Sequence, residues 1–223
     1  MFIGHFAVGF SAKAVAPDAS LGSLVLAAQL PDLLWPTLLA LGMEQVQILP
    51  GATVVTPLLF AHYPISHGLL PVLAWGGLLG LLHFLTQRNT RTALVLAALV
   101  LSHWLLDAIV HQPDLPLFPG SEMRVGLNAW SSLSLTLTIE LAIFLSGLWL
   151  YARTTLPRDA KYRWGLWGLL VCLLGIYLGN LFGPPPPNVA TIAWTGQAQW
   201  LLVLWCYWID AGRRVRCAGM ENP

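Results

Sequence analysis

Histidine and aspartate recur at helical spacing in a long apolar stretch near the middle of the chain. His103, Asp107 and His111 are four residues apart, so a helix would place all three on one face. Imidazole nitrogens together with carboxylate oxygens suit Zn²⁺, Mn²⁺ or Fe²⁺. The spacing predicts metal binding by His103 and Asp107, with an interhelical hydrogen-bond pair as the alternative. His111 is predicted to lie beside the ligands or to be an ordinary interfacial histidine.

Two carboxylates stand alone in apolar surroundings. Asp32 follows Pro31 in the first long apolar stretch, and Glu140 lies within a later one. An ionised side chain at mid-membrane costs about 2.5–3.5 kcal/mol, so such residues usually mark function. Each is predicted to be a bridging metal ligand or the catalytic general base that takes a proton from water. A structural carboxylate bonded across helices is the alternative for Asp32, and a position outside the site is the alternative for Glu140.

Three further histidines precede the central pair. His62 and His67 flank Pro64 and suit a loop that leads into a helix, with Ser66 as a candidate N-cap. His5 lies in a short apolar segment at the start of the sequence. The complete set of predicted metal ligands is His5, Asp32, His62, His67, His103, Asp107 and Glu140.

The elements that must position these residues are membrane spans. The chain has 223 residues, 57% of them hydrophobic and 9% charged, whereas soluble domains carry about 25% charged residues. Apolar stretches of about 17–25 residues cross a bilayer as helices. The predicted spans are 20–42, 68–87, 92–111, 131–152, 164–183 and 195–212. The shorter apolar segment 2–16 is predicted to be an interfacial or re-entrant helix.

The predicted fold is therefore all-α, a polytopic membrane helix bundle of six spans in a single domain, 1–223. Residues 1–145 carry the candidate metal site, and residues 146–223 contribute the C-terminal transmembrane helices. The run from Pro184 to Pro187 is predicted to be an extended loop, because a proline run cannot be helical.

The distribution of basic residues predicts the orientation. Of the eleven Lys and Arg residues, all except Arg124 fall on one side if six spans alternate. The positive-inside rule then predicts a multi-pass protein of the cell (inner) membrane with both termini cytoplasmic. A net charge of +1 excludes the clustered basic face of a nucleic-acid-binding protein. The three cysteines, Cys172, Cys206 and Cys217, suggest neither a disulfide framework nor a thiolate metal site.

Several stretches that contain these residues also carry a family resemblance. In order they are HFAVG (5–9), AAQLPDLLWP (27–36), HYPISHGLL (62–70), SHWLLDAIVHQPDLPLFPG (102–120) and Glu140. Together they resemble the YdjM-type family of membrane-bound metal-dependent hydrolases, over roughly residues 1–145. The resemblance implies that the seven predicted ligands form one polar site. A more distant similarity is to zinc-dependent phospholipases C, which also combine an N-terminal His with a His-x-x-x-Asp helix.

The sequence departs from the family pattern in three places. Tyr63 stands where the family usually has Arg, and Gly68 stands where it usually has Ser. The motif at Asp32 lacks the second Asp of Pro-Asp-x-Asp. The missing carboxylate implies one ligand fewer or a different number of metal ions.

Taken together, these features predict a metal-dependent hydrolase at the outer half of the membrane. The predicted cofactor is a divalent metal, Zn²⁺ in the first place and Mn²⁺ or Fe²⁺ otherwise, which activates water for attack on an ester or phosphoester. Membrane lipids are the predicted partners, and a lipid or lipid-linked substrate is suggested by the location alone. The alternative is a metal-ion or proton-coupled transporter. A carrier needs polar residues leading to the cytoplasmic side, and the inner halves of the predicted spans hold few.

Overall fold

Apolar helices make up most of the structure, a computed structural model that describes residues 1–216. The helices are α1 (Ile3–Ala12), α2 (Leu21–Ala28), α3 (Leu30–Ala40), α4 (Pro64–His67), α5 (Leu69–Gln87), α6 (Thr90–Val110), α7 (Leu133–Thr154), α8 (Ala160–Phe182), α9 (Val189–Gly196) and α10 (Gln199–Ala211), with a 3₁₀ turn at Ala129–Ser131. Four of them, α5 to α8, are long and apolar enough to cross a membrane. They confirm the predicted spans 68–87, 92–111, 131–152 and 164–183 to within a few residues.

The first and last predicted spans are divided into shorter helices. In place of 20–42, α2 and α3 meet at an angle of 57°, as in a broken span or a re-entrant loop. Pro31 near the start of α3 lacks the N–H that would continue α2. The predicted span 195–212 corresponds to α10, which has 13 residues and follows α9. Four spans, or five with the bent pair, are thus present by length and composition within the described residues, and the full count of six stays a prediction.

Helix α1 lies inside the bundle. Ile3, Phe6 and Phe10 are all 0% exposed, and the helix packs against α2, α6 and α7. An interfacial helix would leave one face open to the lipid headgroups, so the re-entrant form of the prediction fits this position better. In α7, a side chain at Gly147 would collide with the carbonyl of Ala7, which shows how closely the two backbones approach.

Short antiparallel ladders connect the helices. Strand β1 (Gln45–Ile48) pairs with β2 (Leu58–His62), β3 (Leu115–Pro116) with β4 (Arg124–Val125), and β5 (Thr155–Pro157) with β6 (Arg213–Val215). The first two ladders lie in the segments 43–67 and 112–130, between the predicted spans. The two connecting segments meet at the end of α6, where Phe60 of β2 packs on His111 and Trp130. Both segments therefore fold over the end of the bundle where α6 terminates.

A buried ion pair ties the helices together at the other end of α1. Lys13 Nζ lies 2.7 Å from Asp210 Oδ2. The backbone N–H of Leu21 donates to the same oxygen, and the Tyr151 hydroxyl donates to Oδ1, each at 3.0 Å. This cluster links α1, α2, α7 and α10. Lys13 is eight residues beyond His5, about 12 Å along a helix, so the cluster is separate from the histidine site.

Candidate metal site

Five of the seven predicted ligands converge, and they come from four helices. His5 lies on α1, Asp32 on α3, His67 at the end of α4, and His103 and Asp107 on α6. Two groups of three have ligand atoms within 4.8 Å of one another: His5 with His103 and Asp107, and Asp32 with His67 and His103. The two groups share His103, so together they form one site that could hold a metal ion.

His103 is oriented by the break between α2 and α3. Its Nδ1 lies 2.8 Å from the carbonyl oxygen of Ala28. A carbonyl can only accept, so Nδ1 carries the hydrogen, and Nε2 of the neutral ring is left with a free lone pair. Nε2 is buried without a hydrogen-bond partner. It lies 3.2 Å from Asp107 Oδ2 and 3.7 Å from Asp32 Oδ1, in the position of a metal-ligating nitrogen.

His67 is oriented by two further residues. The Ser66 hydroxyl donates to Glu44 Oε2 at 2.6 Å, and Nδ1 of His67 lies 2.7 Å from the same hydroxyl oxygen. A hydroxyl has only one hydrogen to donate, so it accepts from Nδ1–H of His67. Nε2 of the neutral His67 ring is therefore also unprotonated. It lies 3.4 Å from Asp32 Oδ1 and 3.7 Å from Asp107 Oδ2.

In the neutral form of both rings, two imidazole lone pairs thus face two carboxylates in a buried setting. His67, His103 and Asp107 are at most 5% exposed. Lone pairs and carboxylate oxygens repel one another unless a positive charge lies between them. The separations of 3.2–3.7 Å between nitrogen and oxygen are mostly longer than ordinary hydrogen bonds. They match the spacing of about 3.4 Å between ligands of a tetrahedral ion with bonds of about 2.0–2.1 Å. The donor atoms therefore fit a divalent cation.

The other oxygen of Asp107 is already bonded. Oδ1 lies 3.0 Å from Nε2 of His5 and 2.6 Å from the terminal amine of Met1. The His5 ring stacks on His103, with ring centroids 3.6 Å apart and planes inclined by 8°. Since one imidazole nitrogen binds one ion, the two groups that share Nε2 of His103 are alternative ligand sets. The set with Asp32 and His67 has both rings oriented by hydrogen bonds, whereas Nδ1 of His5 is buried without a partner.

Glu140 lies beside these residues and has a different partner. Its Oε2 accepts from the backbone N–H groups of Phe2 at 3.0 Å and Gly4 at 3.3 Å. These are free donors at the start of α1, where a helix favours negative charge. Glu140 belongs to neither metal-binding group. Its hydrogen bonds stabilise α1 in the position that brings His5 to Asp107.

His62 is not brought to the site. It is exposed at the end of β2, opposite Gln45 of β1, whereas the next residue, Tyr63, is 2% exposed. Successive side chains of an extended chain point to opposite sides, so burying Tyr63 turns His62 outward. Metal ligation by His62 thus finds no support in the structure. The N-cap prediction for Ser66 is wrong, because Gly68 precedes α5 and the hydroxyl bonds Glu44 and His67.

A second polar group adjoins the site and was only partly expected. The Tyr63 hydroxyl donates to Asp114 Oδ1 at 2.9 Å, and Nδ1 of His111 lies 2.9 Å from the same oxygen. Burial and the nearby Asp114 carboxylate hold the pKa of Tyr63 well above its ordinary value, so Tyr63 stays a donor. His111 therefore lies beside the ligands, as one of its two predictions stated, and contacts Trp130 with ring centroids 4.3 Å apart.

Glu44 was not singled out by sequence reasoning. It accepts from the backbone N–H groups of Ile65 and Ser66, each at 2.8 Å, as well as from the Ser66 hydroxyl. The signal that could have found it is its isolation, since no other ionisable residue lies between Asp32 and His62. The sequence does not show that the segment after α3 folds back, so that Glu44 contacts α4.

A cavity opens from the site. It has a volume of about 370 Å³, and Asp32, His67 and Asp107 line one part of it. Aromatic rings line other parts, and the rim includes residues of the β1–β2 connection and of the proline run after α8. The run itself is not helical, as predicted. A small molecule that enters this cavity would reach the ligand atoms.

Comparison with protein-family models, with curated protein sequences and with solved structures gives no match to this chain. The resemblance to the YdjM-type family therefore stays a prediction. What the site does has to be argued from its geometry.

Proposed function

We propose that this chain is a membrane-embedded hydrolase that depends on a divalent metal ion. The observation that carries the proposal is the meeting, at 3.2–3.7 Å, of Nε2 of His67 and His103 with the carboxylates of Asp32 and Asp107, while Nδ1 of each ring is already hydrogen-bonded. His67, His103 and Asp32 would hold the ion, with Asp107 as a fourth ligand or a neighbouring base. Two carboxylates and two neutral imidazoles carry a charge of −2, which one divalent cation offsets in a low-dielectric setting.

The donor set favours zinc. Nitrogen and oxygen ligands suit Zn²⁺, Mn²⁺ and Fe²⁺, and catalytic zinc commonly has three protein ligands and an open fourth position. In the set of Asp32, His67 and His103, the open position would be supplied from the cavity that Asp32 and His67 line. That arrangement is what a hydrolase needs, because water and substrate must both reach the ion.

The chemistry divides between the ion and the chain. A bound ion would lower the pKa of water from 15.7 towards about 7 and polarise the oxygen of the scissile group. Asp107 Oδ2, beside both histidine nitrogens, is placed to accept a proton from that water, and His5 fixes the other oxygen. Glu140, the other candidate base, is already bonded to the start of α1. Asp107 is therefore the stronger candidate for the base, ahead of both Asp32 and Glu140.

The location suggests the substrate. We infer a lipid or lipid-linked ester or phosphoester in the outer half of the cell membrane, with both termini cytoplasmic. The support is the positive-inside distribution of Lys and Arg and a cavity bordered by apolar helices.

The proposal is tested by the metal content of the purified protein. Wild type is expected to hold about one divalent ion per chain, and His103→Ala and Asp32→Asn to lose it. His62→Ala is the matched control, because His62 is exposed and outside both groups, so it should retain the ion. Folded wild-type protein that holds no divalent metal and binds none on titration would refute the site.

The alternative function, a metal-ion or proton-coupled transporter, needs a polar route to the other face. On α1, between His5 and Lys13, the fully buried residues Phe6 and Phe10 pack in an apolar cluster that also contains Phe144. This packing favours an enzyme over a carrier. Metal or proton uptake into sealed vesicles that is abolished by Asp32→Asn would reverse the preference.

A further inference from the structure

The cavity beside the site is lined by acidic side chains and by no Lys or Arg. Asp32, Asp107 and Glu140 line it. All eleven Lys and Arg residues of the sequence lie within the described residues, and none of them lines the cavity. The Met1 amine, the remaining cationic group there, is paired with Asp107. With a divalent ion in place, the charges of the ion and the Met1 amine together only balance the three carboxylates, which leaves no net positive charge to attract an anion.

The backbone groups that usually bind phosphate are also occupied. Phosphates often bind the free N–H groups at a helix start. At α1 those of Phe2 and Gly4 are bonded to Glu140, and those of Ile65 and Ser66, next to His67, are bonded to Glu44. A phosphate in the cavity would therefore find neither a Lys or Arg side chain nor these backbone donors.

Aromatic and aliphatic side chains form another part of the wall, and this part suits an apolar chain. Trp35, Phe60, Trp130, Leu58 and Ile192 line the cavity away from the carboxylates. The volume of about 370 Å³ falls in the range of small-molecule sites, about 300–1,000 Å³. It can take a short acyl segment and the group that reacts.

We propose that the site hydrolyses a carboxylic ester of a lipid, whose uncharged acyl chain and carbonyl group occupy this cavity, and that it does not take a phosphoester. The inference rests on the proposed function. In the reaction, the oxygen of water bonds to the carbonyl carbon and the acyl–oxygen bond breaks. One hydrogen of water passes to the leaving alcohol, and the other remains with the carboxylic acid product or leaves it as a proton. The phosphoester half of the broader proposal is thereby dropped.

The inference is tested by binding, with two probes that differ in charge. The zinc-loaded full chain in nanodiscs of uncharged lipid is titrated with 1-octanoylglycerol and with octyl phosphate, and empty nanodiscs are subtracted. We expect 1-octanoylglycerol to bind at least about tenfold more tightly, since the octyl phosphate anion would lie among carboxylates with no Lys or Arg side chain beside it. Zinc itself favours the phosphate, so the comparison is biased against the proposal. Equal or tighter binding of octyl phosphate would overturn it, and so would the failure of both probes to bind.

A charge added to the cavity provides the matched control. Thr195 of α9 lines the cavity, whereas Thr191, one turn earlier on the same helix, does not. Thr195→Arg should tighten octyl phosphate about tenfold and leave 1-octanoylglycerol unchanged, and Thr191→Arg should change neither. If Thr195→Arg leaves octyl phosphate unchanged, the missing charge is not what excludes it, and the inference fails. Failure of the hydrolase proposal itself gives a different result. Either the purified protein holds no metal, or protein that binds 1-octanoylglycerol does not hydrolyse 4-nitrophenyl octanoate.

Discussion

At the scale of single residues, the orientation of His67 depends on Glu44. The Glu44 carboxylate takes the only hydrogen of the Ser66 hydroxyl, which makes that oxygen an acceptor for His67. Such outer hydrogen bonds fix the tautomer of a metal-ligating histidine and raise its basicity. His103 has the equivalent bond to the carbonyl of Ala28. Both rings are therefore prepared for an ion before it binds.

This relay predicts the effect of removing the hydroxyl. Ser66→Ala should weaken zinc binding about 10–100-fold, because the His67 ring loses the partner that orients it. The measurement is a competitive zinc titration of the purified protein. Ser102→Ala is the control, since Ser102 adjoins His103 in sequence but bonds only to the carbonyl of Leu99. Equal affinities of wild type and Ser66→Ala would contradict the relay.

The residues of the site were predictable to different degrees. The pairing of His103 with Asp107 follows from helical spacing alone, and Asp32 was found because an ion in an apolar stretch needs a partner. The contact of His5 with Asp107 depends on how deeply α1 is buried, which local sequence does not encode. Glu140 was predicted as a ligand from its isolation alone, but an isolated buried carboxylate can equally accept hydrogen bonds from the first N–H groups of a helix, as Glu140 does.

At the scale of elements, α5 and α6 pack through small residues. A side chain at Gly76 or Gly80 of α5 would lie within 3 Å of the carbonyl oxygen of Ala97 or Ala93 of α6. Gly76 and Gly80 are four residues apart, and so are Ala93 and Ala97, which is the small-xxx-small pattern of membrane helix pairs. The close approach places α6, with its ligands, beside the segment that enters α5 from His67.

This packing predicts opposite effects for neighbouring glycines. Gly80→Ala should destabilise the protein by about 1–3 kcal/mol, because the methyl group forces α5 away from α6. Gly77→Ala should be neutral or stabilise by up to about 1 kcal/mol, since nothing lies within 4 Å of its added carbon and alanine favours helix. Denaturation midpoints in detergent measure both. A similar loss in the two variants would show that this helix contact is not the cause.

Hydropathy predicted the long helices well and the broken ones poorly. Spans such as 92–111 are continuous helices, so the mean hydropathy over a sequence window predicts both that they exist and roughly where they begin and end. In 20–42 the same average hides a break at Pro31, although the break turns the carbonyl of Ala28 towards His103. The ladders β1–β2 and β3–β4 were not predicted, because strands of two to five residues carry too little periodicity to detect.

At the scale of the whole molecule, the site joins parts of the chain that are far apart in sequence. Its residues come from α1, α3, α4 and α6, and two connecting segments fold over it. The Lys13–Asp210 cluster closes the bundle elsewhere. The membrane-length helices α5, α7 and α8 contribute no ligand to either group. Helix α5 follows directly after α4, which contains His67. An ion held by Asp32, His67 and His103 would thus connect α3, α4 and α6.

Metal removal should therefore lower the stability of the whole bundle. A free ion concentration of 100 times the dissociation constant stabilises the folded state by about 2.7 kcal/mol. For a chain of this size, a change of 1 kcal/mol shifts the unfolding temperature by about 2–4 °C, so chelation should lower this temperature by about 5–10 °C. Thermal unfolding followed by intrinsic tryptophan fluorescence, with and without EDTA, measures the shift. His103→Ala should unfold at the same temperature under both conditions, because the ligand that both groups share is gone. A chelator effect of equal size in His103→Ala would place the responsible ion elsewhere in the molecule.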